Sequence, residues 1–466
     1  MNEKPNVILI VMDNVRYDHL SCYGYDRMTT PNIDKFAKES ILFENAFSVS
    51  SWTPPTMSSI FTGKYPSNHG VLDKNLRLDP KNITLAELLR KDGYRTLEIS
   101  SIPYLHGKFG INKGFDLSIE HYTKPIFDFD MKYIWGKIRN LKFGNDKYTY
   151  YNNIVAKRWI RKYMDKPFFL LIDYENTHIP YHPMKPFHEY ILRDNHKDVN
   201  INKVRYLFGE QSFIKNILKV NESYGFAAPV MLKYMANKFD LTDEEMELGI
   251  SWYDSEIAYL DYHVGKLLEF LKKNELFDDS IIIITADHGA NLKEHGRFFY
   301  SLCSLYDTNT HIPFIIKVPN GKKKKVKGLI SQVDFMPTII DILGIDIPVN
   351  IDGKSMSGFR ESECRKYVMG ELGTYDGVKE YIEKFLPSYD TSLLQRLKFI
   401  RTGTHKLIMG SEGREEFYDL MKDPKEENNM IEKNPKEARR LKSELLRNFK
   451  NLETKKTKSV VEDIDV

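Results

Sequence analysis

Short apolar runs recur along this chain of 466 residues, and most of them are continuous rather than alternating. Continuous runs are typical of strands buried on both faces of a parallel sheet. Helical patterns lie between the runs, and the longest covers residues 243–273. Strands that alternate with helices predict an α/β fold with a mostly parallel central sheet flanked by helices. The predicted strands are NVILIVMD from residue 6, RTLEIS from residue 95, FFLLIDY from residue 168, SIIIITADHG from residue 280 and PFIIKVP from residue 313.

The pattern also divides the chain into regions. We expect a main domain over residues 1–353, a smaller C-terminal α+β subdomain over residues 354–450 and a frayed tail over residues 451–466. Two segments, near residues 122–163 and 188–239, are rich in Tyr, Phe, Lys and Asn and have no clean period. We interpret them as insertions that could roof a functional site and select its ligands.

Composition excludes several classes of partner. Lys and Arg total 68 against 65 Asp and Glu, so the formal net charge is +3, which does not favour a nucleic acid as the partner. Three widely spaced cysteines predict neither a disulfide framework nor a cysteine metal site. The first apolar run is too short to span a membrane and has no cleavage site, so we expect a cytoplasmic protein without a membrane anchor. The oligomeric state has no signature in the sequence.

Polar side chains stand where two of the predicted strands end. Asp13 and Asn14 follow the first strand, and Asp287 and His288 follow the fourth. In an α/β sheet such strand ends meet at the ligand-binding edge, and carboxylate, amide and imidazole groups are ligands of divalent cations. A single Asp-His pair could equally be a capping Asp beside a structural His. The two strand ends together predict a metal site.

Thr53 stands before Pro54 and Pro55 in the stretch SSWTPPTMSSIFTGK. The prolines fix φ, so the hydroxyl is held in one place. Coordination to a metal would lower the pKa of that hydroxyl and make it a nucleophile. We also expect the N–H groups of the following helix to cradle an anion. The alternative is a plain Thr N-cap with proline at the first helical position.

At this point the chain resembles the type I sulfatase family of the alkaline phosphatase superfamily, over nearly its whole length. The landmarks are NVILIVMDNVRYDHLSCYGY, TTPNIDKFAKESILFENAFS, IFTGKYPSNHGV, GYRT, KGFD, PFFLLIDYENTHIPYHP, YLDYHVGKLLEFLKK, IIIITADHGANLKEHG, YDTNTHIPFIIKVP, VDFMPTIIDILGI, IDGKS and FYDLMKDPKEENNM. The resemblance implies an alkaline-phosphatase-like sandwich and a small anionic ester as substrate. It further implies that the metal ligands are Asp13, Asn14, Asp287 and His288, and that Thr53 occupies the nucleophile position.

The resemblance also implies roles for three histidines. His178 matches a histidine that faces the substrate, where it would protonate the leaving group or hold an oxygen of the transferred group; its alternative is a satisfied loop histidine. His311 occupies a position that is basic in many relatives, and we take it as a catalytic candidate. His295 is a weaker candidate for a substrate or metal contact.

The chain departs from the sulfatase pattern at the nucleophile. The resemblance implies Cys or Ser there, within Cys/Ser-x-Pro-x-Arg, which is oxidised to formylglycine. Oxidation of Thr53 would give a ketone, and the motif arginine is Met57. The expected Gly-Lys-x-His motif is absent from LEISSIPYLHGK, and no lysine is evident after Asp287-His288. Threonine nucleophiles occur in branches of the superfamily that act on phosphorus, and ENTHIPY resembles the NHxPY pattern of lipoteichoic acid synthases.

Three hypotheses follow. The first is a metal-dependent hydrolase or transferase of phosphate esters that works through Thr53. The second is a sulfuric ester hydrolase without formylglycine, and the third is a non-catalytic relative that binds an anion or a partner.

One divalent cation is favoured, Mn²⁺ or Mg²⁺, with Ca²⁺ and Zn²⁺ as alternatives. A second site would need another carboxylate and two histidines, for which the candidates are Asp173 or Glu175 with His178 and His311.

Overall fold

In the described part of the chain, eight strands between Asn6 and Ser331 form a central sheet. The computed structural model describes residues 4–72, 76–105, 107–120, 147–187, 204, 241–296, 304–373, 395–433 and 435–461. The strands are β1 (Asn6–Met12), β2 (Ile41–Phe47), β3 (Arg95–Ser100), β4 (Leu117–Glu120), β5 (Phe168–Tyr174), β6 (Ser280–Ala286), β7 (His311–Lys317) and β8 (Lys324–Ser331). Their order is β4-β3-β5-β1-β6-β7-β2-β8. Only β7 runs antiparallel to its neighbours, so the prediction of a mostly parallel sheet is confirmed.

Helices flank this sheet. The longest, α6, begins after a capping box in which Thr242 and Glu245 bond each other's backbone, and it confirms the helix predicted over residues 243–273. The helices are α1 (Pro31–Ala37), α2 (Thr53–Thr62), α3 (Pro66–His69), α4 (Leu85–Lys91), α5 (Thr149–Tyr163), α6 (Asp243–Lys273), α7 (Asp307–Thr310), α8 (Phe335–Ile342) and α9 (Lys436–Val461). Within the described ranges no helix has both the length and the apolar character needed to cross a membrane.

The register of the three central strands sets the position of the polar residues that follow them. Every residue of β1, β5 and β6 is buried, as their continuous apolar runs predict. Met12 of β1 stands opposite Tyr174 of β5 and Ala286 of β6. Asp13 and Asp287 therefore leave the sheet at the same level of the same edge.

A second, antiparallel sheet confirms the smaller C-terminal α+β subdomain. Its strands are β9 (Val368–Leu372), β10 (Leu397–Arg401), β11 (His405–Gly410) and β12 (Glu415–Asp419), in the order β12-β11-β10-β9. Helix α9 continues to Val461, where the sequence predicted a frayed tail from residue 451. Of the two predicted insertions, residues 147–163 are described and form α5 with its leading turn. The rest of 122–163, and 188–239 except Val204, lie outside the described residues.

A network of buried ion pairs connects the C-terminal sheet with helix α7, which precedes β7 of the central sheet. Lys406 of β11 is fully buried, and its Nζ lies 2.7 Å from Asp307 Oδ1 and 3.0 Å from Glu426 Oε1. Arg401 Nε also reaches Asp307, at 3.1 Å. Because Asp307 begins α7, this network fixes the C-terminal subdomain to the segment that leads into β7.

We predict that Lys406→Met destabilises the protein by about 3–5 kcal/mol, because two buried carboxylates lose their shared cation. Denaturant unfolding measures the change. The matched control is Lys422→Met, since the Lys422 side chain is 84% exposed and its pair with Asp419 is long, at 3.4 Å; that change should cost less than about 1 kcal/mol. Equal losses in the two variants would contradict a junction held by Lys406.

Candidate active site

Three of the predicted metal ligands come together at the carboxyl edge of the sheet. The ligand atoms of Asp13, Asp287 and His288 all lie within 4.8 Å of one another, and all three residues are buried. His288 Nε2 is 3.8 Å from Asp13 Oδ1 and 3.4 Å from Asp287 Oδ2. Two carboxylates and an imidazole at these separations can share one divalent cation.

Local hydrogen bonds orient these ligands. His288 Nδ1 lies 2.8 Å from the carbonyl oxygen of Gly289, which can only accept, so Nδ1 carries the hydrogen and Nε2 presents a lone pair to the group. Asp287 Oδ1 accepts from the backbone N–H groups of Asn14, at 3.0 Å, and His288, at 2.7 Å. Gly289 is required here because a Cβ would lie 2.3 Å from the carbonyl oxygen of Thr308.

Three buried side-chain oxygens near this edge of the sheet have no hydrogen-bond partner among the described residues: Asp287 Oδ2, Asn14 Oδ1 and Asp173 Oδ1. The Asn14 amide nitrogen donates to the Thr177 carbonyl at 3.3 Å, which leaves the amide oxygen for another partner. Burial, and then the charge of Asp287, raises the pKa of both Asp13 and Asp173 well above the usual range. Unpaired buried carboxylates are costly, so this donor set fits a divalent cation that would pair with them.

Thr53 completes the group. Its Oγ1 lies 3.4 Å from Asp13 Oδ1 and 3.3 Å from His288 Nε2. Helix α2 starts at Thr53 with Trp52 as its N-cap, so Thr53 is not the plain N-cap that was the alternative. The first turn of α2 does not offer the row of N–H groups that the predicted anion cradle requires. Pro54 and Pro55 have no N–H, and the N–H of Thr56 bonds to the carbonyl of Trp52 at 3.3 Å. The hydroxyl, rather than a row of amides, faces the site.

Gln332 is a site residue that the sequence did not reveal. It is fully buried, and its Nε2 donates to the carbonyl of Asp287 at 2.6 Å. Its Oε1 accepts from Ser48 Oγ at 3.1 Å and from the N–H of Val49 at 3.3 Å. One carboxamide thus ties the strand that delivers Asp287 to the segment that leads to Thr53.

His178 also faces this region. Its Nδ1 lies 2.6 Å from the carbonyl oxygen of Ile179, so the hydrogen is on Nδ1. Burial and the nearby Lys147 ammonium lower the pKa of His178 to about 4, and His288 and Asp287 are close enough to act on it too. His178 is therefore a neutral imidazole at pH 7 in the free protein, with a lone pair on Nε2.

The other predicted residues lie in different contacts. His311 stacks on Tyr17, with ring centroids 3.5 Å apart, and its Nε2 lies 2.8 Å from the carbonyl oxygen of Glu44. His295 stacks on Tyr306 at 3.5 Å. The structure does not bring either ring into the group formed by Asp13, Asp287 and His288, so a catalytic role for His311 and a ligand role for His295 remain predictions. Glu175 is half-buried, and its charge acts on Asp13.

We predict that Mn²⁺ raises the Tm of the metal-free protein, because a ligand that binds only the folded state stabilises it, by about 2.7 kcal/mol at 100 times the Kd. Asp287→Asn should remove most of this rise. Without metal that variant should be no less stable than the parent, since it relieves repulsion from Asp13 and Asp173. Asp278→Asn, at a side chain 92% exposed just before β6, is the control. An unchanged response to Mn²⁺ in Asp287→Asn would refute the ligand assignment.

Comparisons with known proteins show the family of this chain. The sulfatase family model matches residues 5–345, and the model of the N-sulphoglucosamine sulphohydrolase C-terminal region matches residues 293–455. The chain is 28% identical to an N-acetylglucosamine-6-O-sulfatase of Bacteroides thetaiotaomicron, over 92% of this chain and 83% of that one. It is 26% identical to an arylsulfatase of Clostridium perfringens, over 92% and 90%.

Solved structures give the same fold. A phosphonate monoester hydrolase of Agrobacterium radiobacter superposes with a TM-score of 0.74 at 20% identity, covering 97% of this chain and 96% of that one. A protein in complex with its substrate D-glucosamine-2-N,6-O-disulfate also gives 0.74, at 22% identity and 97% and 99% coverage. The chain is an ester hydrolase that belongs to the sulfatase family, within the alkaline phosphatase superfamily.

Proposed function

We propose that the protein hydrolyses a phosphorus ester by attack of Thr53 Oγ1, with one divalent cation held by Asp13, Asn14, Asp287 and His288. The observation that carries the proposal is the position of Oγ1, 3.3–3.4 Å from ligand atoms of Asp13 and His288. A threonine that served only the helix would turn its hydroxyl to the backbone, as Thr56 does toward the carbonyls of Trp52 and Thr53.

The cation, when bound, lowers the pKa of the Thr53 hydroxyl and offsets negative charge on the transferred group. Mn²⁺ or Mg²⁺ suits the site best, because three of the four proposed protein ligands offer oxygen and only His288 offers nitrogen. Gln332 and the two N–H donors to Asp287 hold that ligand in place.

The chain's own residues account for the proton transfers. Thr53 gives its proton toward Asp13 Oδ1, its Oγ1 bonds to phosphorus, and the bond from phosphorus to the leaving oxygen breaks. A bound anionic ester raises the pKa of His178, so that its Nε2 can carry a proton for the leaving oxygen. Neutral His178 then accepts a proton from the water that attacks phosphorus. As the bond between phosphorus and Thr53 Oγ1 breaks, Asp13 returns its proton to Oγ1, which regenerates the hydroxyl.

The side chain of Thr53 favours phosphorus over sulfur. A formylglycine diol releases sulfate with the help of its second hydroxyl, whereas Cβ of Thr53 carries a methyl group in that place. An ester on Thr53 must therefore be cleaved by attack on the transferred atom itself. Phosphorus undergoes such in-line displacement readily when its oxygens are held by cations. A sulfuric ester hydrolase is the second candidate, because the similar proteins include an N-acetylglucosamine-6-O-sulfatase and an arylsulfatase.

We predict turnover of bis-p-nitrophenyl phosphate or p-nitrophenyl phenylphosphonate with Mn²⁺, and its loss with EDTA. Thr53→Val, which keeps the shape of the side chain without the hydroxyl, should lower kcat by roughly 10³-fold or more. Initial rates on phosphate, phosphonate and sulfate esters of p-nitrophenol measure this.

Thr56→Val is the matched control, since among the described residues the Thr56 hydroxyl bonds only to the backbone carbonyls of Trp52 and Thr53. It should keep most of the activity. Turnover of sulfate esters alone would replace the first candidate by the second. A protein with bound metal and turnover unaffected in Thr53→Val would contradict the nucleophile assignment.

A further inference from the structure

We infer, on the basis of the proposed function, that Lys147 is a positioning residue that holds the loop carrying His178. Lys147 is 6% exposed and precedes helix α5. Its Nζ donates to the carbonyl oxygens of Glu175, at 3.2 Å, Asn176, at 3.0 Å, and His178. An ammonium group has three N–H donors on one atom, so a single side chain can bind three converging carbonyls.

Further side chains at the start of α5 bind the same loop. Thr149 donates to the side-chain oxygen of Asn176, and Asn152 Nδ2 lies 3.3 Å from the carbonyl oxygen of Asp173. Ser101, just past β3, accepts from Asn152 at 3.0 Å and donates to the Lys147 carbonyl at 3.0 Å. The start of α5 therefore holds the loop between β5 and His178 in place and links it to the ends of β3 and β5.

The backbone before α5 supports a specific role for this turn. Lys147 has φ of 46° and Tyr148 has φ of 66°, so two successive residues with side chains adopt the left-handed region. Such residues are uncommon there, and the conformation persists where surrounding contacts determine it. The contacts here are those of Lys147 with the loop and of its carbonyl with Ser101.

Charge connects Lys147 to the reaction as well as to the fold. Burial lowers the pKa of Lys147, while Glu256, Glu175 and Asp13 act to raise it. Glu256 is 1% exposed and accepts from the backbone N–H of His182, so the ammonium has a buried counter-charge beside the loop. Lys147 therefore acts on His178 in two ways. It holds the carbonyl group of His178 in place, and its positive charge lowers the pKa of the His178 ring.

The competing explanation is a buried ammonium that stabilises the fold and nothing more. In that case Lys147→Met would lower stability, and the remaining activity would fall by the same factor for every substrate. A positioning role through His178 makes a different forecast. Help from a proton donor matters for a poor leaving group and hardly at all for p-nitrophenolate, so the losses should differ between substrates.

A double-mutant cycle tests this with the full-length protein and Mn²⁺. The four forms are the parent, Lys147→Met, His178→Ala and the double variant, each measured on an alkyl ester and on the p-nitrophenyl ester of the same acid. We expect Lys147→Met to lower kcat about 10²-fold on the alkyl ester, with a much smaller loss on the aryl ester and little change in KM. In the His178→Ala background it should cause no further loss.

Lys162→Met is the control, because Lys162 lies exposed on the same helix. Equal losses on both esters, additive losses in the cycle, or behaviour like that of Lys162→Met would overturn the role of Lys147. If the parent cleaves sulfate esters instead, the proposed phosphorus chemistry fails, and the same cycle on alkyl and aryl sulfates still tests Lys147.

Hydrogen exchange gives a readout that does not need activity. Amide exchange in residues 175–178 should speed up in Lys147→Met and stay unchanged in Lys162→Met. Unchanged exchange in Lys147→Met would also overturn the proposal. Should Lys147→Met fail to fold, Lys147→Gln keeps part of the donor capacity and takes its place in both measurements.

Discussion

The repulsion among buried carboxylates at one sheet edge is the constraint on which the site depends. Asp13 and Asp287 directly follow the adjacent strands β1 and β6 at the same level, and Asp173 lies near the end of β5, opposite Val11. Burial and mutual charge raise the pKa of Asp13 and of Asp173. A divalent cation bound among them would remove this cost, and the hydroxyl of Thr53 lies against Asp13 Oδ1 and His288 Nε2. The proposed nucleophile thus lies where buried negative charge must be balanced.

Much of the fold followed from the sequence because its central strands are continuous apolar runs, and buried parallel strands have that pattern. Strand β2 was not predicted, since Glu44 and Asn45 interrupt its apolar residues and the register shifts there. The cluster of Asp13, Asp287 and His288 could be predicted because its members directly follow strand ends in the sequence. Gln332 and Lys147 could not, because their partners lie far along the chain and only tertiary packing brings them together.

The family fold and the chemistry of this chain are separate matters. The scaffold is that of the sulfatases, but a fold hosts different reactions according to the groups placed on it. The resemblance to the family implies that Thr53 stands where formylglycine chemistry would require Cys or Ser, and that Met57, which is fully buried, stands in place of the motif arginine. A buried methionine cannot hold an anionic oxygen, so the proposed mechanism assigns recognition of the transferred group to the cation and to residues such as His178.

The most direct measurement is mass spectrometry of enzyme quenched with acid during turnover. The account predicts a phosphoryl group on the peptide that contains Thr53, present with substrate and Mn²⁺ and absent from Thr53→Val. Accurate mass separates phosphoryl from sulfuryl transfer. Steady turnover with unmodified Thr53, or a label on another residue, would contradict the claim that this hydroxyl is the nucleophile.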